Sequence, residues 1–408
     1  MLGTSWTAER RHEVPGQPAP GTGIVEAPDS VMTSDPSQPA PQATDPKPTP
    51  TPAPPGGSEV PRPRRRPRYS GRNPRRFEER YKEHDPTRYL ADAAKIEASG
   101  KTLAGSHRPI LVEEILGVLD PKPGETAVDC TLGYGGHARR LLERVTAGDA
   151  PGRLLGLDVD PIELPKTESR LRALGFGDTA FVARRSNYAG MAKVLGELGW
   201  GTADVILADL GVSSMQLDDP QRGFTYKQDG PLDLRMNPQR SPSAAQWLAT
   251  VGEADLQGAL QSGADEPHAA LLARGLVRAR AVEPITRTRQ LAELIRSLLP
   301  ERSKEDQDLS VRRVFQAIRI VVNDEFGGLD AWLRLLPGCL GPGGRVAVLT
   351  FHSGEDRRVK QAFRVGLDQG IYSAIADEVI RAGPEEQRAN PRSSSAKLRW
   401  AVRAAGNS

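Results

Sequence analysis

Five short apolar runs, each closed by a polar or turn residue and set between stretches of helical periodicity, constrain this chain most. They are Thr126–Thr131, Arg153–Val159, Ala180–Ala183, Asp204–Asp209 and Arg345–Thr350. Apolar runs without alternation fit strands buried on both faces, and such strands belong to parallel sheets with helical crossovers. Pro109–Leu119 carries apolar residues at helical spacing, and Leu141–Val145 and Met191–Leu198 supply crossover helices. The expectation is a doubly wound α/β sheet that binds ligands at the carboxyl ends of its strands. The alternation stops between Leu217 and Arg312. There Ala244–Leu260, His268–Ala281 and Thr288–Leu299 read as helices, so a helical insertion over residues 219–311 should divide a core of residues 104–218 and 312–405.

The first 85 residues lack this pattern. Sixteen of the 35 prolines fall within residues 1–70, and Trp6 is the only aromatic residue before Pro61. Such a segment buries too little surface to offset its ordering entropy, so residues 1–85 read as a disordered Pro/Arg-rich arm. Nine arginines between Arg62 and Arg80 face only Glu78 and Glu79. Clustered Arg binds polyanions without needing a fold, although a solvated linker has the same composition. From Tyr81 onward the chain carries 43 basic and 43 acidic residues, so the folded body is neutral. Two cysteines, Cys130 and Cys339, exclude a disulfide framework and no Cys/His cluster suggests zinc. With no signal peptide and no apolar run of membrane length, the expectation is a cytoplasmic protein without a metal or a membrane partner.

The first strand runs into Asp129-Cys-Thr-Leu-Gly-Tyr-Gly-Gly-His137, whose glycines let the backbone turn sharply and approach a ligand. The second ends at Asp158, 22 residues after Gly136, where a carboxylate can take the ribose hydroxyls of an adenosine ligand. Gly133 to Ala138 also satisfies the dinucleotide glycine string, which keeps an NAD-dependent oxidoreductase in play. Charge separates the two. A pyrophosphate wants bare N–H groups and little negative charge, whereas the acids Asp129 and Asp209 at adjacent strand ends suit a cationic sulfonium. S-adenosylmethionine is the favoured cofactor.

The fourth strand leads into Asp209-Leu-Gly-Val-Ser-Ser214, then Arg222-Gly-Phe and Asp229-Gly-Pro-Leu-Asp-Leu-Arg-Met236. With Gly135-Gly-His137, Phe315-Gln-Ala-Ile-Arg-Ile320 and Phe351-His-Ser-Gly-Glu-Asp356, these segments resemble the bacterial small-subunit (16S) ribosomal RNA cytosine-N4 methyltransferases of the RsmH/MraW type. The resemblance runs from His107 to Arg399. It implies a class I Rossmann-like S-adenosylmethionine-dependent methyltransferase with an inserted helical domain that helps to hold RNA. It also implies transfer of methyl to N4 of a cytidine in the decoding region of small-subunit rRNA, within the assembled subunit. By position, Gly135, Gly136, His137, Asp158, Tyr188, Asp209 and Gln216 would contact the cofactor, Tyr188 standing where an aromatic, usually Phe, lies beside the adenine. A non-catalytic RNA-binding assembly factor on the same fold is the remaining alternative.

The N4 lone pair of cytosine is delocalised into the ring, so the amine needs an acceptor for its proton as it attacks in line with the methyl–sulfur bond. Asp209 or the backbone at Ser213 and Ser214 is placed for this, and alignment alone supplies part of the acceleration. His352 reads equally as a cap on the strand end or as a substrate contact. His137 reads as part of the cofactor loop. Four positions depart from the family pattern. Pro267 and Leu271 stand for basic residues, Gly354 for Leu and Ser394 for Arg, each lost charge removing a phosphate contact that the Arg-rich arm could replace.

Overall fold

The computed structural model describes residues 109–149 and 151–406; the arm over residues 1–85 and His107 lie outside the described residues. The five apolar runs form five parallel strands: β1 (Thr126–Asp129), β2 (Arg153–Asp158), β3 (Phe181–Arg185), β4 (Ala203–Asp209) and β5 (Leu340–Thr350). Two further strands, β6 (Tyr372–Ile375) and β7 (Lys397–Arg403), complete a sheet of order β3-β2-β1-β4-β5-β7-β6. β7 runs antiparallel to both β5 and β6, which closes that edge with a reversed pair. This is the expected Rossmann-like α/β class, with its strand order reversing between β1 and β4.

Successive side chains along a strand face opposite ways, and the two faces build separate cores. Ala127, Leu154, Val205, Leu207, Ala347 and Leu349 pack under α1 (Val112–Leu119), α2 (Gly136–Val145) and α3 (Glu163–Ala173). Val128, Leu155, Leu157, Ile206, Ala208 and Val348 face the other way. They meet α4 (Met191–Glu197), α11 (Glu325–Cys339) and α12 (Ser353–Asp368).

Between β4 and α11 the chain leaves the sheet. After the short α5 (Ser214–Asp218) come α6 (Ala244–Thr250), α7 (Glu253–Ala264), α8 (Ala269–Val282), α9 (Thr288–Ser297) and α10 (Lys304–Asn323). The single helix expected over Ala244–Leu260 is two, because Val251 is extended and Gly252 starts α7 as its N-cap. A third core joins these helices around Leu248, Leu256, Leu272, Leu276 and Leu291. Val311, Val314, Phe315 and Ile318 of α10 belong to the same core, so the boundary expected at residues 311 and 312 falls inside one helix. α10 passes directly into α11 through Asp324, whose left-handed φ of 51° is a conformation that Asp tolerates better than most residues. That turn carries the inserted helices back to the strand ends.

Candidate active site

The carboxyl ends of β1, β2, β4 and β5 open into a cleft of about 1510 Å³. The loop after β1 forms one wall. Gly133 and Gly135 have φ of 48° and 83°, which L side chains rarely adopt. A Cβ on Gly135 would lie 2.8 Å from Thr167 Cγ2 of α3, and one on Gly136 would clash with the Pro109 ring. Glycine at 135 and 136 is therefore required by the packing of the loop against α3 and Pro109, not only by ligand approach. The Thr167 hydroxyl donates to the Gly133 carbonyl, and the Gly133 N–H donates to Asp158 Oδ2 at 2.8 Å.

Three strand-end carboxylates form the floor. Asp129, 1% exposed, accepts the Thr131 N–H at 3.0 Å, and burial pushes its carboxyl up to about 7. Burial raises Asp158 to about 6 against the opposing pull of the Asp160 and Gly133 N–H groups. Asp209 rises to about 7 through burial, then through the charges of Asp129 and Glu355. Among the described residues no lysine or arginine lies within ion-pair distance of any of the three. His137, 8% exposed, points Nε2 to within 3.6 Å of Asp209 Oδ2 without a hydrogen bond. Its burial lowers the ring to about 4, so it is neutral near pH 7 and cancels none of the negative charge.

This floor tests the two cofactors. Asp158 would serve the ribose of either cofactor, but a pyrophosphate would also meet the buried carboxylates of Asp129 and Asp209 and no cation, at a cost of several kcal/mol for each uncompensated contact. A sulfonium or an ammonium would supply the missing positive charge, and the orphaned His137 Nε2 offers a further polar contact. The residues fit S-adenosylmethionine and oppose NAD.

Known proteins agree. A model of the MraW methylase family matches residues 104–404. The chain belongs to that family. A relative in Lachnoclostridium phytofermentans, "Ribosomal RNA small subunit methyltransferase H 1", is 45% identical over 86% of this chain and 96% of its own. "Ribosomal RNA small subunit methyltransferase H 2" of Alkaliphilus metalliredigens is 46% identical over 83% and 97%. The Heliobacterium modesticaldum protein, "Ribosomal RNA small subunit methyltransferase H", is 38% identical over 72% and 97%. The first two matches take in more of this chain than residues 104–404 can supply, so they extend into the N-terminal segment.

The remaining residues expected at the site of a MraW methylase divide into those facing the cleft and those already engaged. Tyr188 lies in a single 3-10 turn after β3, lines the cleft and packs edge-on against Trp332 at 5.9 Å. The hydroxyl that distinguishes it from Phe donates to the Glu325 carbonyl at 3.1 Å. Gln216 also lines the cleft, but Nε2 donates to Asp160 at 2.8 Å and Oε1 accepts the Ser213 N–H at 2.9 Å. Ser213 is the N-cap of α5, its hydroxyl accepting the Gln216 N–H at 3.2 Å. Both side chains thus hold the loop after β4 in shape before any ligand arrives. His352 caps α12: its Nδ1 accepts the Glu355 N–H at 3.4 Å, and Glu355 reaches back to the Phe351 and His352 N–H groups.

Several residues that shape the site carry no periodic signal. Arg222 lies 62 positions from Asp160 and binds it at 2.8 Å, with both side chains nearly buried. Arg319 of α10 grips Glu325 with Nε and Nη2 at 2.8 and 2.9 Å. Glu355 stood inside a recognised segment, yet only the fold shows that it faces the cleft. Of the departures from the family pattern, Leu271 is half exposed on α8, and Ser394 donates to the Pro391 carbonyl. Gly354 has a local cause. A Cβ there would lie 2.6 Å from Phe326 Cζ, and that ring is held by Arg358 stacked 3.6 Å above it. Gly354→Leu is therefore expected to cost about 1–3 kcal/mol by overpacking, more than the ~1 kcal/mol gained by removing a helical glycine. Chemical denaturation of Gly354→Leu, Phe326→Ala and the double variant checks this: additive losses would show that the two positions do not compete for space.

Proposed function

We propose that this MraW methylase transfers a methyl group from S-adenosylmethionine to the N4 amine of a cytidine in the decoding region of small-subunit ribosomal RNA, in the assembled subunit. The observation that carries the reading is the uncompensated anionic floor formed by Asp129, Asp158 and Asp209, which suits a cationic methyl donor. The cofactor supplies an electrophilic methyl carbon on a sulfonium. Asp158 offers carboxylate lone pairs toward a ribose, Tyr188 a ring edge beside the adenine, and Asp209 a negative charge beside the cationic centre. The cleft exceeds the 300–1,000 Å³ typical of a site for one small ligand, so a flipped-out nucleotide can enter beside the cofactor. Among the described residues no helix is long and apolar enough to cross a membrane.

Mass mapping of small-subunit rRNA from a deletion strain, with and without the gene restored, tests the reading. One methyl group on a decoding-region cytidine should vanish and return with the gene; an unchanged modification pattern would reject it. It would equally reveal a non-catalytic assembly factor.

Because the folded body is neutral, its grip on phosphate needs a local source, and the Arg-rich run within residues 62–80 is the strongest in the sequence. Each phosphate contact adds roughly 0.7–0.9 to the slope of log affinity against log salt. Removing residues 1–85 is expected to weaken binding to small-subunit RNA at least tenfold at 0.1 M salt and to flatten that slope by several units. Filter binding across a salt series measures both, and an unchanged slope would remove the arm from RNA binding.

A further inference from the structure

Glu355 is a buried acid at the cleft to which the cofactor-binding scheme gives no work. It is 3% exposed, sits in the first turn of α12 and lines the cleft with Asp209 and Phe351. A carboxylate so far from water must either hold a proton or be paired. Glu355 is paired. Oε2 accepts the Phe351 N–H at 2.8 Å, and Oε1 lies 3.2 Å from His352 Nε2, an approach that lacks hydrogen-bond geometry and leaves Nε2 without a partner. His352 Nδ1 accepts the Glu355 N–H, which turns the Nε2 edge of the ring toward the carboxylate. Arg319, which holds Glu325 by two hydrogen bonds, adds a cation to the same pocket. The α12 N-terminus contributes its partial positive charge as well.

Glu325, His352 and Glu355 bring their ligand atoms within 4.8 Å of one another, as a metal site would. Arg319 occupies both oxygens of Glu325, however, and supplies the positive charge that an ion would bring. The cluster reads better as a device that keeps one carboxylate ionised. Burial works to raise the Glu355 carboxyl, but His352, Arg319 and the Phe351 N–H together hold it below the usual range. Asp209 differs. Burial, Asp129 and Glu355 push it up to about 7, so near neutrality it is only about half ionised until a cation arrives beside it. Environments that drive two neighbouring acids apart divide their roles.

We propose that Glu355 is the catalytic acceptor for the target amine, taking an N4–H hydrogen bond and then the proton, while Asp209 serves the cofactor. The assignment rests on the amine-methylation reading above. The amine nitrogen forms its new bond to the methyl carbon, the methyl–sulfur electron pair leaves on sulfur, and one N4 proton passes to a Glu355 oxygen. The proton then leaves to solvent with product release. A weak base suffices here. Once its lone pair is committed to the new bond, the exocyclic nitrogen no longer shares it with the ring and its proton becomes strongly acidic. An acceptor for that proton must be ionised at working pH, and Glu355 meets that condition in the free protein. His352 and Arg319 act through Glu355 and are positioning residues.

The test is Glu355→Gln in the full chain, because Gln keeps an oxygen for the Phe351 N–H and loses only the charge. Single-turnover methyl transfer to small subunits from a strain lacking the enzyme is expected to fall about 10²–10⁴-fold. The dissociation constant for S-adenosylmethionine, measured by calorimetry, should stay within about threefold, since cofactor contacts are intact. Asp209→Asn should show the reverse split, with weakened cofactor binding and a smaller loss of rate at saturation. A Glu355→Gln rate within threefold of the unmodified protein would overturn the assignment. If the variant fails to fold, the unmodified protein still decides. With saturating cofactor its single-turnover rate should stay flat from pH 8 to below 6. A tenfold loss per pH unit beginning near 7 would mean that the acceptor is not ionised in the loaded enzyme, and would overturn the assignment to Glu355. An unmodified protein that methylates no small subunit would reject the reaction itself, whereas an active protein with an active Glu355→Gln variant rejects only the acceptor.

Discussion

Replacing Arg222 by alanine is expected to remove about 3–5 kcal/mol of folding stability, because it leaves a buried carboxylate without its cation. Asp160 is 1% exposed and Arg222 contacts it through Nη1 at 2.8 Å. Nη2 of the same guanidinium donates to the Met236 and Arg235 carbonyls at 2.8 and 3.2 Å. One side chain therefore ties the end of β2 to the segment that closes the cleft beyond β4. Leu234, within that segment, has a φ of 63°, a strained conformation for a branched residue, and is 1% exposed. The Leu234 N–H donates to the Arg222 carbonyl, and Asn323 holds the Leu234 carbonyl and the Met236 N–H. Loss of the guanidinium removes two of the bonds that support this strain, so the segment should relax away from the cleft.

A domain is typically stable by only 5–15 kcal/mol, so such a loss would be visible in any denaturant titration. Arg222→Lys keeps the charge without the planar fork and should lie between the two. A double cycle with Asp160→Asn isolates the pair: the second substitution should cost much less once the first is made. A loss below 1 kcal/mol for Arg222→Ala would mean that water replaces the guanidinium, and that the segment is held elsewhere.

The contrast between Asp158 and Asp160 shows what can be read from such a chain. The strand ends were legible because apolar runs closed by Gly and Asp can hardly be anything else in an α/β pattern. The acids at 129, 158 and 209 followed from those ends. Asp160, two residues further on, looked like part of the same loop, and only the fold brings it against Arg222 and Gln216. Long-range ion pairs leave no periodicity. The β6–β7 pair was equally hidden, since Tyr372–Ile375 is only four residues long and its partner begins 25 residues after its start. The loop glycines were legible as glycines, but half of their cause, the packing of Thr167 and Pro109, lies in residues that carry no motif. The insertion was visible as helices, whereas α10 joins it through a buried face and joins the sheet through Asp324, so no composition shift marks its boundary.

Cofactor affinity is expected to rise steeply with pH between about 5 and 7.5. Asp129, Asp158 and Asp209 are raised to about 7, 6 and 7, each chiefly by burial. In the free protein these carboxyls are protonated at pH 5, and a cationic ligand must drive their protons off to gain its counter-charge. Each proton released steepens the dependence by a factor of ten per pH unit. Release of one proton near pH 6 predicts about a tenfold tighter S-adenosylmethionine dissociation constant at pH 7 than at pH 6, with a plateau once the floor is ionised. His137, lowered to about 4, and Glu355, held below its usual range, do not titrate in this window and cannot produce the trend. Stability of the free protein should move the other way. A carboxyl with a folded pKa above its unfolded value contributes stability that is present below about 4 and lost as pH rises through the folded value. The unliganded protein should therefore lose part of its stability between pH 4 and 7 from this cluster, and the gain in melting temperature on adding cofactor should be larger at pH 7.5 than at pH 5.5. Calorimetry in buffers of different ionisation enthalpy counts the released protons directly. A proton count of zero at pH 6, with a flat affinity, would mean that the floor is already ionised in the free protein and that its charge is balanced by solvent, not by the ligand.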